Sequence, residues 1–240
     1  MQRQKTYYGV TVGILMVDSS FRRFVGDIGN ARTWPFPVQY KVVRGATPAE
    51  MVNLKGSDVL APFKAAADEL VADGVDGIAT TCGFLALYQN DLAEHCPVPV
   101  ATSALLQVPM VERLIPSARH VGILTYSAEA MTSDHLHAAG VDPDTPVVGL
   151  PRGSEFYRWI MEGDASVPFD VLKDEVIETA RRLVRDHPAT GAIVNECTNL
   201  TPFSADIARE TGLPVFDMVT MMHWFHMGLR PHTYAQEANP

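Results

Sequence analysis

The chain contains an internal repeat, and this repeat constrains the fold more than any other feature of the sequence. The segment Val12–Leu15 (VGIL) recurs as Val121–Leu124. A second match lies at an offset of 115 residues and pairs Cys82 with Cys197. It gives seven identities in 23 aligned positions, whereas ordinary residue usage gives about one or two. We therefore predict that the chain folds as two similar halves.

Both halves alternate short apolar runs with segments of helical periodicity. Apolar runs of this length are typical of buried parallel strands, and the intervening segments place apolar residues on one helix face. This alternation predicts an α/β fold of two pseudo-symmetric, doubly wound parallel-sheet domains, with the active site in the cleft between them. The predicted domains are residues 1–104 together with 217–240, which include a C-terminal helix, and residues 105–216.

The same pattern predicts the individual elements. The predicted strands are residues 10–17, 38–43, 77–81, 98–101, 120–125, 146–150, 191–195 and 213–217. The predicted helices are residues 58–72, 85–95, 169–186, 202–210 and 219–229. Ser57 is the predicted N-cap of the first helix, and Thr201 is that of the fourth, with Pro202 at its first position.

Composition and charge exclude several classes of protein. The chain is 47% apolar and 20% charged, with a net charge of −9. Basic residues form no cluster beyond pairs such as Arg22-Arg23, so nucleic acid is not an expected partner. The apolar run 9–17 is shorter than the roughly 20 residues that span a bilayer, so no membrane is expected. Three cysteines do not suit a disulfide framework, which favours a cytoplasmic protein.

Cys82 and Cys197 stand at equivalent places, just after a predicted strand and just before a helical segment. Unpaired N–H groups and the helix dipole favour a reactive thiolate at a helix N-terminus. Pseudo-symmetry predicts that the two sulfurs face each other across the cleft at roughly 7–9 Å. Two opposed proton-transfer groups suit inversion of a carbon centre without a cofactor. Cys96 pairs with Thr211 in the repeat and is predicted to be structural.

The segments around these cysteines resemble those of a known family. Thr80–Phe84 reads TTCGF and Asn195–Asn199 reads NECTN. In glutamate and aspartate racemases, Asn-Thr typically follows the first cysteine, and the second lies in Gly-Cys-Thr. The chain keeps Cys-Thr at the second site but has Glu196 in place of the glycine. It thus resembles the cofactor-independent aspartate/glutamate/hydantoin racemase superfamily, which implies Cys82 and Cys197 as catalytic residues, no cofactor and a homodimer.

Substrate-binding candidates lie beside the cysteines and in the loops after the first strand of each half. Hydroxyls and backbone N–H groups at strand ends suit a carboxylate and the charge that spreads into it. The glycine-containing segment 26–30 offers a further anion-binding turn. No metal site is predicted, since the histidine pairs lack a third ligand at a recognised spacing. The candidates are Asp18, Ser19, Asn30, Thr81, Gly83, Thr125, Tyr126, Ser127, Thr198 and Asn199.

These features together predict an isomerase. The expected reaction is racemisation at the α-carbon of a small carboxylate, such as aspartate, glutamate or a hydantoin-like derivative. Cis–trans isomerisation of an unsaturated diacid also uses two cysteines. Decarboxylation of a substituted malonate needs only the later one, so Cys82 counts against it. The non-enzyme alternative is a two-lobed protein that binds a small ligand.

Glu196 is the clearest departure from the racemase pattern. A carboxylate directly before Cys197 raises the thiol pKa by like-charge repulsion if it points into the cleft. Adjacent strand residues face opposite sides, however, so a cleft-facing Cys197 predicts that Glu196 faces a helix layer or solvent. We therefore expect a structural role for Glu196, with Asn195 and Asn199 closer to the substrate.

Overall fold

A computed structural model describes residues 8–52, 59–231 and 233–234. Its strands are β1 (Val12–Val17), β2 (Val38–Val43), β3 (Gly77–Thr80), β4 (Val100–Ala101), β5 (His120–Thr125), β6 (Val147–Gly149), β7 (Thr190–Asn195) and β8 (Val215–Phe216). They form two four-stranded parallel sheets, ordered β2-β1-β3-β4 and β6-β5-β7-β8. The two halves thus share one topology, and the predicted α/β class is confirmed.

Helices flank both sheets. The α-helices are α1 (Pro48–Val52), α2 (Leu60–Asp73), α3 (Gln89–His95), α4 (Val108–Glu112), α5 (Ser133–Ala138), α6 (Glu155–Tyr157), α7 (Phe169–Asp186), α8 (Ser204–Thr211) and α9 (Met218–Leu229). The 3₁₀ helices are Ala31–Thr33, Gly83–Tyr88, Ala104–Gln107 and Thr198–Phe203, and a π-helical turn spans Arg158–Glu162. The predicted bounds of α7 are met, whereas the predicted N-cap Ser57 lies outside the described residues.

The repeated VGIL segments form the central strands β1 and β5, and their glycines explain why the motif recurs. A Cβ on Gly13 would meet Leu70 of α2 at 2.9 Å. At Gly122, it would meet Leu183 of α7 at 2.8 Å. Each glycine therefore lets one long helix pack closely across the central strand of its sheet.

The chain after each cysteine differs from its predicted conformation. Both segments begin as 3₁₀ turns, with Leu85 N–H donating to the Cys82 carbonyl at 3.1 Å and Leu200 N–H to that of Cys197 at 3.0 Å. The α-helices α3 and α8 start only afterwards. The prediction that Thr201 caps the fourth helix is therefore wrong, because the i to i+3 hydrogen bonds continue through Thr198–Phe203.

The C-terminal helix α9 packs against both halves. Its start is fixed by reciprocal hydrogen bonds, since Thr220 N–H donates to the Asp217 carboxylate at 2.8 Å and Asp217 N–H to the Thr220 hydroxyl at 2.9 Å. One apolar cluster contains Ala79 of β3, Val194 of β7 and Met222 of α9. The two halves therefore share part of their core, and this shared core does not define where one domain ends and the other begins. The boundaries 1–104 with 217–240 and 105–216 stay predictions.

Candidate active site

A cavity lies where β3 and β7 end, and both predicted catalytic cysteines line it. It encloses about 470 Å³, the mouth included. Cys82 and Cys197 follow β3 and β7, the equivalent strands of the two sheets, so the carboxyl ends of both sheets contribute to this cavity. Seven of the predicted site residues belong to the lining, namely Cys82, Cys197, Thr81, Gly83, Tyr126, Thr198 and Asn199.

The first loop places its predicted residues outside the lining. Asp18 accepts hydrogen bonds from Gly45 N–H at 3.1 Å and from Arg44 at 3.2 Å, so it fixes the turn after β2. Asn30 accepts from Arg32 N–H at 3.0 Å and caps a 3₁₀ helix. Ser19 accepts from Arg23 at 3.0 Å and therefore supports a cavity residue without lining the cavity itself.

Thr125 and Ser127, from the corresponding loop of the second half, also lie outside the lining. The Thr125 hydroxyl donates to the Glu196 carboxylate at 2.6 Å. Ser127 accepts from Ala130 N–H at 3.3 Å. Short side chains at these positions are used by local hydrogen bonds, which the sequence pattern does not distinguish from ligand contacts.

Burial raises the pKa of both thiols, contrary to the lowering expected at helix N-termini. Burial, reinforced by the charge of Glu196, raises the pKa of Cys82 to about 12, although Phe84 and Leu85 N–H groups oppose this shift. Burial and then Glu196 raise the pKa of Cys197 well above its ordinary value. Burial removes water from around the thiolate, and this destabilises it more than the hydrogen bonds from backbone N–H groups stabilise it.

Glu196 points into the cavity, so the expected orientation towards a helix layer or solvent is wrong. β7 ends at Asn195, and the strand alternation on which that expectation rested does not extend to Glu196. Glu196 is 1% exposed, and its carboxyl group packs against Gly83. Burial raises the pKa of Glu196 to about 7, while the Thr125 hydrogen bond opposes the shift. Asn195 instead donates to the Ser204 hydroxyl at 2.9 Å, outside the lining.

Arg23 also lines the cavity, and sequence reasoning did not find it as a site residue. Its guanidinium pairs with the buried Asp27 carboxylate at 2.8 Å and lies 4.5 Å from the centroid of the Phe21 ring. Asp27 in turn accepts from the Asn199 amide at 2.7 Å. The available signal was its place in the loop after β1, at the carboxyl edge of the sheet.

The remaining wall is mostly apolar and aromatic. Phe21, Phe84 and Tyr126 supply rings, and α1 contributes Met51 and Val52. Within the described ranges, no group of three or more His, Cys, Asp or Glu side chains could hold a metal ion. Those ranges also contain no helix that is long and apolar enough to cross a membrane.

Solved structures place the fold among racemases and a decarboxylase. Allantoin racemase from Klebsiella pneumoniae matches with a TM-score of 0.64 at 16% identity, covering 92% of this chain and 87% of that one. Glutamate racemase from Bacillus anthracis gives 0.59 at 14%, covering 91% and 82%. Arylmalonate decarboxylase gives 0.60 at 14%, covering 91% and 92%. The chain has the fold of the aspartate/glutamate/hydantoin racemase superfamily, which confirms the resemblance at the level of fold.

Curated relatives carry a different activity. A dimethylsulfoniopropionate lyase of Durusdinium sp. clade D is 28% identical over 228 residues, covering 91% of this chain and 74% of the relative. Dimethylsulfoniopropionate lyase 7 of Emiliania huxleyi is 28% identical over 230 residues, covering 90% and 66%. No family model matches the sequence. The predicted amino-acid racemase, and with it the isomerase class, is corrected by these relatives, because a lyase catalyses a different reaction.

Proposed function

We propose that the protein is a lyase that eliminates dimethyl sulfide from dimethylsulfoniopropionate or a closely similar sulfonium carboxylate. The observation that carries this proposal is the match along 91% of the chain to a protein named for that activity. The cavity supports it, because two thiols, a buried carboxyl group and a guanidinium group line it together.

The substrate is a zwitterion, and the cavity offers a group for each end. Arg23 provides guanidinium N–H donors for the carboxylate. The rings of Phe84 and Tyr126 provide faces that attract a sulfonium cation. A carboxylate held at Arg23 directs the α-carbon towards Cys197, since Asn199 contacts the Cys197 sulfur at 3.7 Å and connects through Asp27 to Arg23.

Cys197 is the proposed base of the elimination. Its thiolate takes a proton from the α-carbon, and the C–H electron pair forms the new carbon–carbon double bond. The bond from the β-carbon to sulfur breaks, and its electrons remain on dimethyl sulfide, leaving acrylate. The thiol then loses its proton to solvent, so each turnover gives acrylate, dimethyl sulfide and one proton.

The substrate itself favours the ionised base. The positive sulfonium group lowers the pKa of nearby thiols, which burial and Glu196 otherwise raise. Cys82, on the same lining, stays protonated and donates its S–H to the charge that spreads into the carboxylate. Cys197 therefore acts as the base, and Cys82 acts as the hydrogen-bond donor.

The test measures dimethyl sulfide by headspace gas chromatography after mixing the purified protein with dimethylsulfoniopropionate. Cys197→Ser should lower kcat by about 10³-fold, and Cys82→Ser by about 10²-fold, as expected for loss of a base and of a donor. Cys96→Ser is the matched control, because Cys96 lies outside the cavity lining, and it should retain activity. An inactive wild-type protein, or full activity in Cys197→Ser, would overturn the proposal.

A further inference from the structure

The described lining residues of the cavity include one acidic side chain, Glu196, and one basic side chain, Arg23. Only the basic one has an ion-pair partner of opposite charge in the described part of the chain. Arg23 has Asp27 as its ion-pair partner at 2.8 Å. Glu196 has no cationic partner within the described ranges, where its Oε1 atom also lacks any hydrogen-bond partner. A buried carboxyl oxygen without a partner is costly, so its presence at the wall calls for a ligand.

Glu196 is also held in place. Its Oε2 atom accepts the Thr125 hydroxyl at 2.6 Å, while the carboxyl group packs against Gly83, where a side chain would collide with it. The aromatic rings of Phe84 and Tyr126 line the same cavity. A fixed carboxyl group and aromatic rings in one cavity suit an organic cation, because the carboxylate attracts it by charge and the ring faces attract it by their quadrupole.

We propose that Glu196 is the counter-ion of the substrate's sulfonium group and selects cationic substrates over neutral or anionic ones. The identity of this cation rests on the proposed function. The racemase pattern that the chain resembles has glycine at this position, which carries no charge.

This role predicts a proton release on binding. Around neutral pH, part of the Glu196 population is protonated, and a bound cation favours the carboxylate. Thr125 of β5 donates to Glu196, and the charge of Glu196 acts on Cys82 beyond β3 and on the adjacent Cys197. Arg23, from the loop after β1, lines the same cavity. The thiols also lose protons more readily beside a cation, so a variant lacking the Glu196 charge is needed to separate the two sources.

The experiment measures the binding of two ligands of equal shape that cannot undergo β-elimination. Dimethylsulfonioacetate carries the cation, and 3-methylbutanoate places an uncharged CH group where the first has sulfur. Calorimetry should show that the wild-type protein prefers the cation by about 10- to 100-fold, the range expected for one partly buried charge contact. Glu196→Gln keeps the shape and the Thr125 contact, and it should bind the two ligands within about threefold of each other.

Glu175→Gln provides the matched control. Glu175 accepts backbone N–H groups of Glu155 and Phe156 at 2.9 and 2.8 Å and lies outside the cavity lining. This variant should keep the wild-type preference. Calorimetry at pH 7 in two buffers of different ionisation enthalpy should detect proton release on binding of the cation, and Glu196→Gln should reduce it.

The outcomes separate this inference from the proposed function. An unchanged preference for the cation in Glu196→Gln would overturn the counter-ion role even in an active lyase. A preference that disappears with Glu196 supports the role even if the wild-type protein produces no dimethyl sulfide, a result that overturns only the lyase proposal. In an active enzyme, Glu196→Gln should raise KM for dimethylsulfoniopropionate more than it lowers kcat; a collapse of kcat at unchanged KM would instead identify Glu196 as a base.

Discussion

The two cysteine segments share one backbone arrangement but carry different chemistry. Thr81 and Glu196 occupy equivalent positions, and their N–H groups donate to the carbonyls of Leu15 at 3.0 Å and Leu124 at 2.8 Å, which are themselves equivalent in the repeat. The Thr81 hydroxyl accepts the Val17 N–H at 2.9 Å and so completes the strand end. Glu196, in contrast, leaves its buried Oε1 atom without a hydrogen-bond partner among the described residues. The backbone has kept its symmetry while the side chains have diverged.

This difference bears on the reaction. Inversion of a carbon centre requires proton-transfer groups on both faces, which a symmetric pair supplies. Elimination from a sulfonium carboxylate requires one base, a carboxylate-binding group and a group that holds the sulfonium cation of the substrate. The asymmetry between Thr81 and Glu196 is therefore consistent with the proposed lyase, in which the two thiols have unequal roles.

The largest effect expected outside catalysis is a pH-dependent change in stability at Glu196. Its pKa is raised from 4.5 to about 7 in the folded protein, so folding binds a proton in this interval, and stability falls as pH rises through it. The ionisation of Glu196 should lower the free energy of unfolding by about 3 kcal/mol between pH 4.5 and pH 8. Thr81, its counterpart in the first half, does not ionise and contributes nothing.

Urea denaturation of the wild-type protein and Glu196→Gln, at several pH values across this range, measures the difference. The wild-type curve should fall relative to that of the variant as pH increases, with the two converging at low pH. Parallel curves would show that Glu196 is not desolvated in the folded protein.

A smaller effect on stability is expected from Gly83→Ala. Gly83 and Thr198 are equivalent in the repeat, so this substitution gives the first half the Cβ atom that the second half already has. This Cβ would meet the Glu196 carboxyl carbon at 2.5 Å and also crowd its main-chain carbonyl. The free energy of unfolding should decrease by about 1–3 kcal/mol, as for overpacking. Adding Glu196→Gly should recover part of the loss, because the carboxyl group is removed while the carbonyl remains.

Gly228→Ala is the control for this substitution. It adds the same methyl group in α9, where nothing lies within 4 Å of the new Cβ. Its thermal unfolding midpoint should stay the same or increase, since alanine favours a helix more than glycine does. If Gly83→Ala and Gly228→Ala lowered stability equally, the loss at Gly83 could not be assigned to crowding of Glu196.

The sequence predicts the fold well because the repeated residues are those that pack helices against the central strands. Gly13 and Gly122 recur because a helix crosses each central strand, and the apolar runs reveal the strands themselves. The same periodicity misplaced the start of α8, because a 3₁₀ helix over Thr198–Phe203 precedes it and the apolar pattern does not distinguish the two helix types over so short a segment.

The site was only partly predictable for a related reason. Cys82 and Cys197 follow from repeat symmetry, but Arg23 lies in the loop after β1, outside both repeated segments. The direction of the Glu196 side chain depends on where β7 ends, to within one residue, and pattern reasoning does not resolve this. The reaction was misjudged because two cysteines suggest symmetry, whereas the carboxyl group beside one of them breaks it.

The most direct test of this asymmetry uses dimethylsulfoniopropionate labelled with one deuterium at the α-carbon, in each of its two configurations. A single base reaches only one face of the substrate, so one configuration should give acrylate that has lost the deuterium and the other acrylate that keeps it. Mass spectrometry of the acrylate distinguishes the two products. Equal loss from both configurations would show that the two thiols act as equivalent bases and would contradict the division of roles between the two halves.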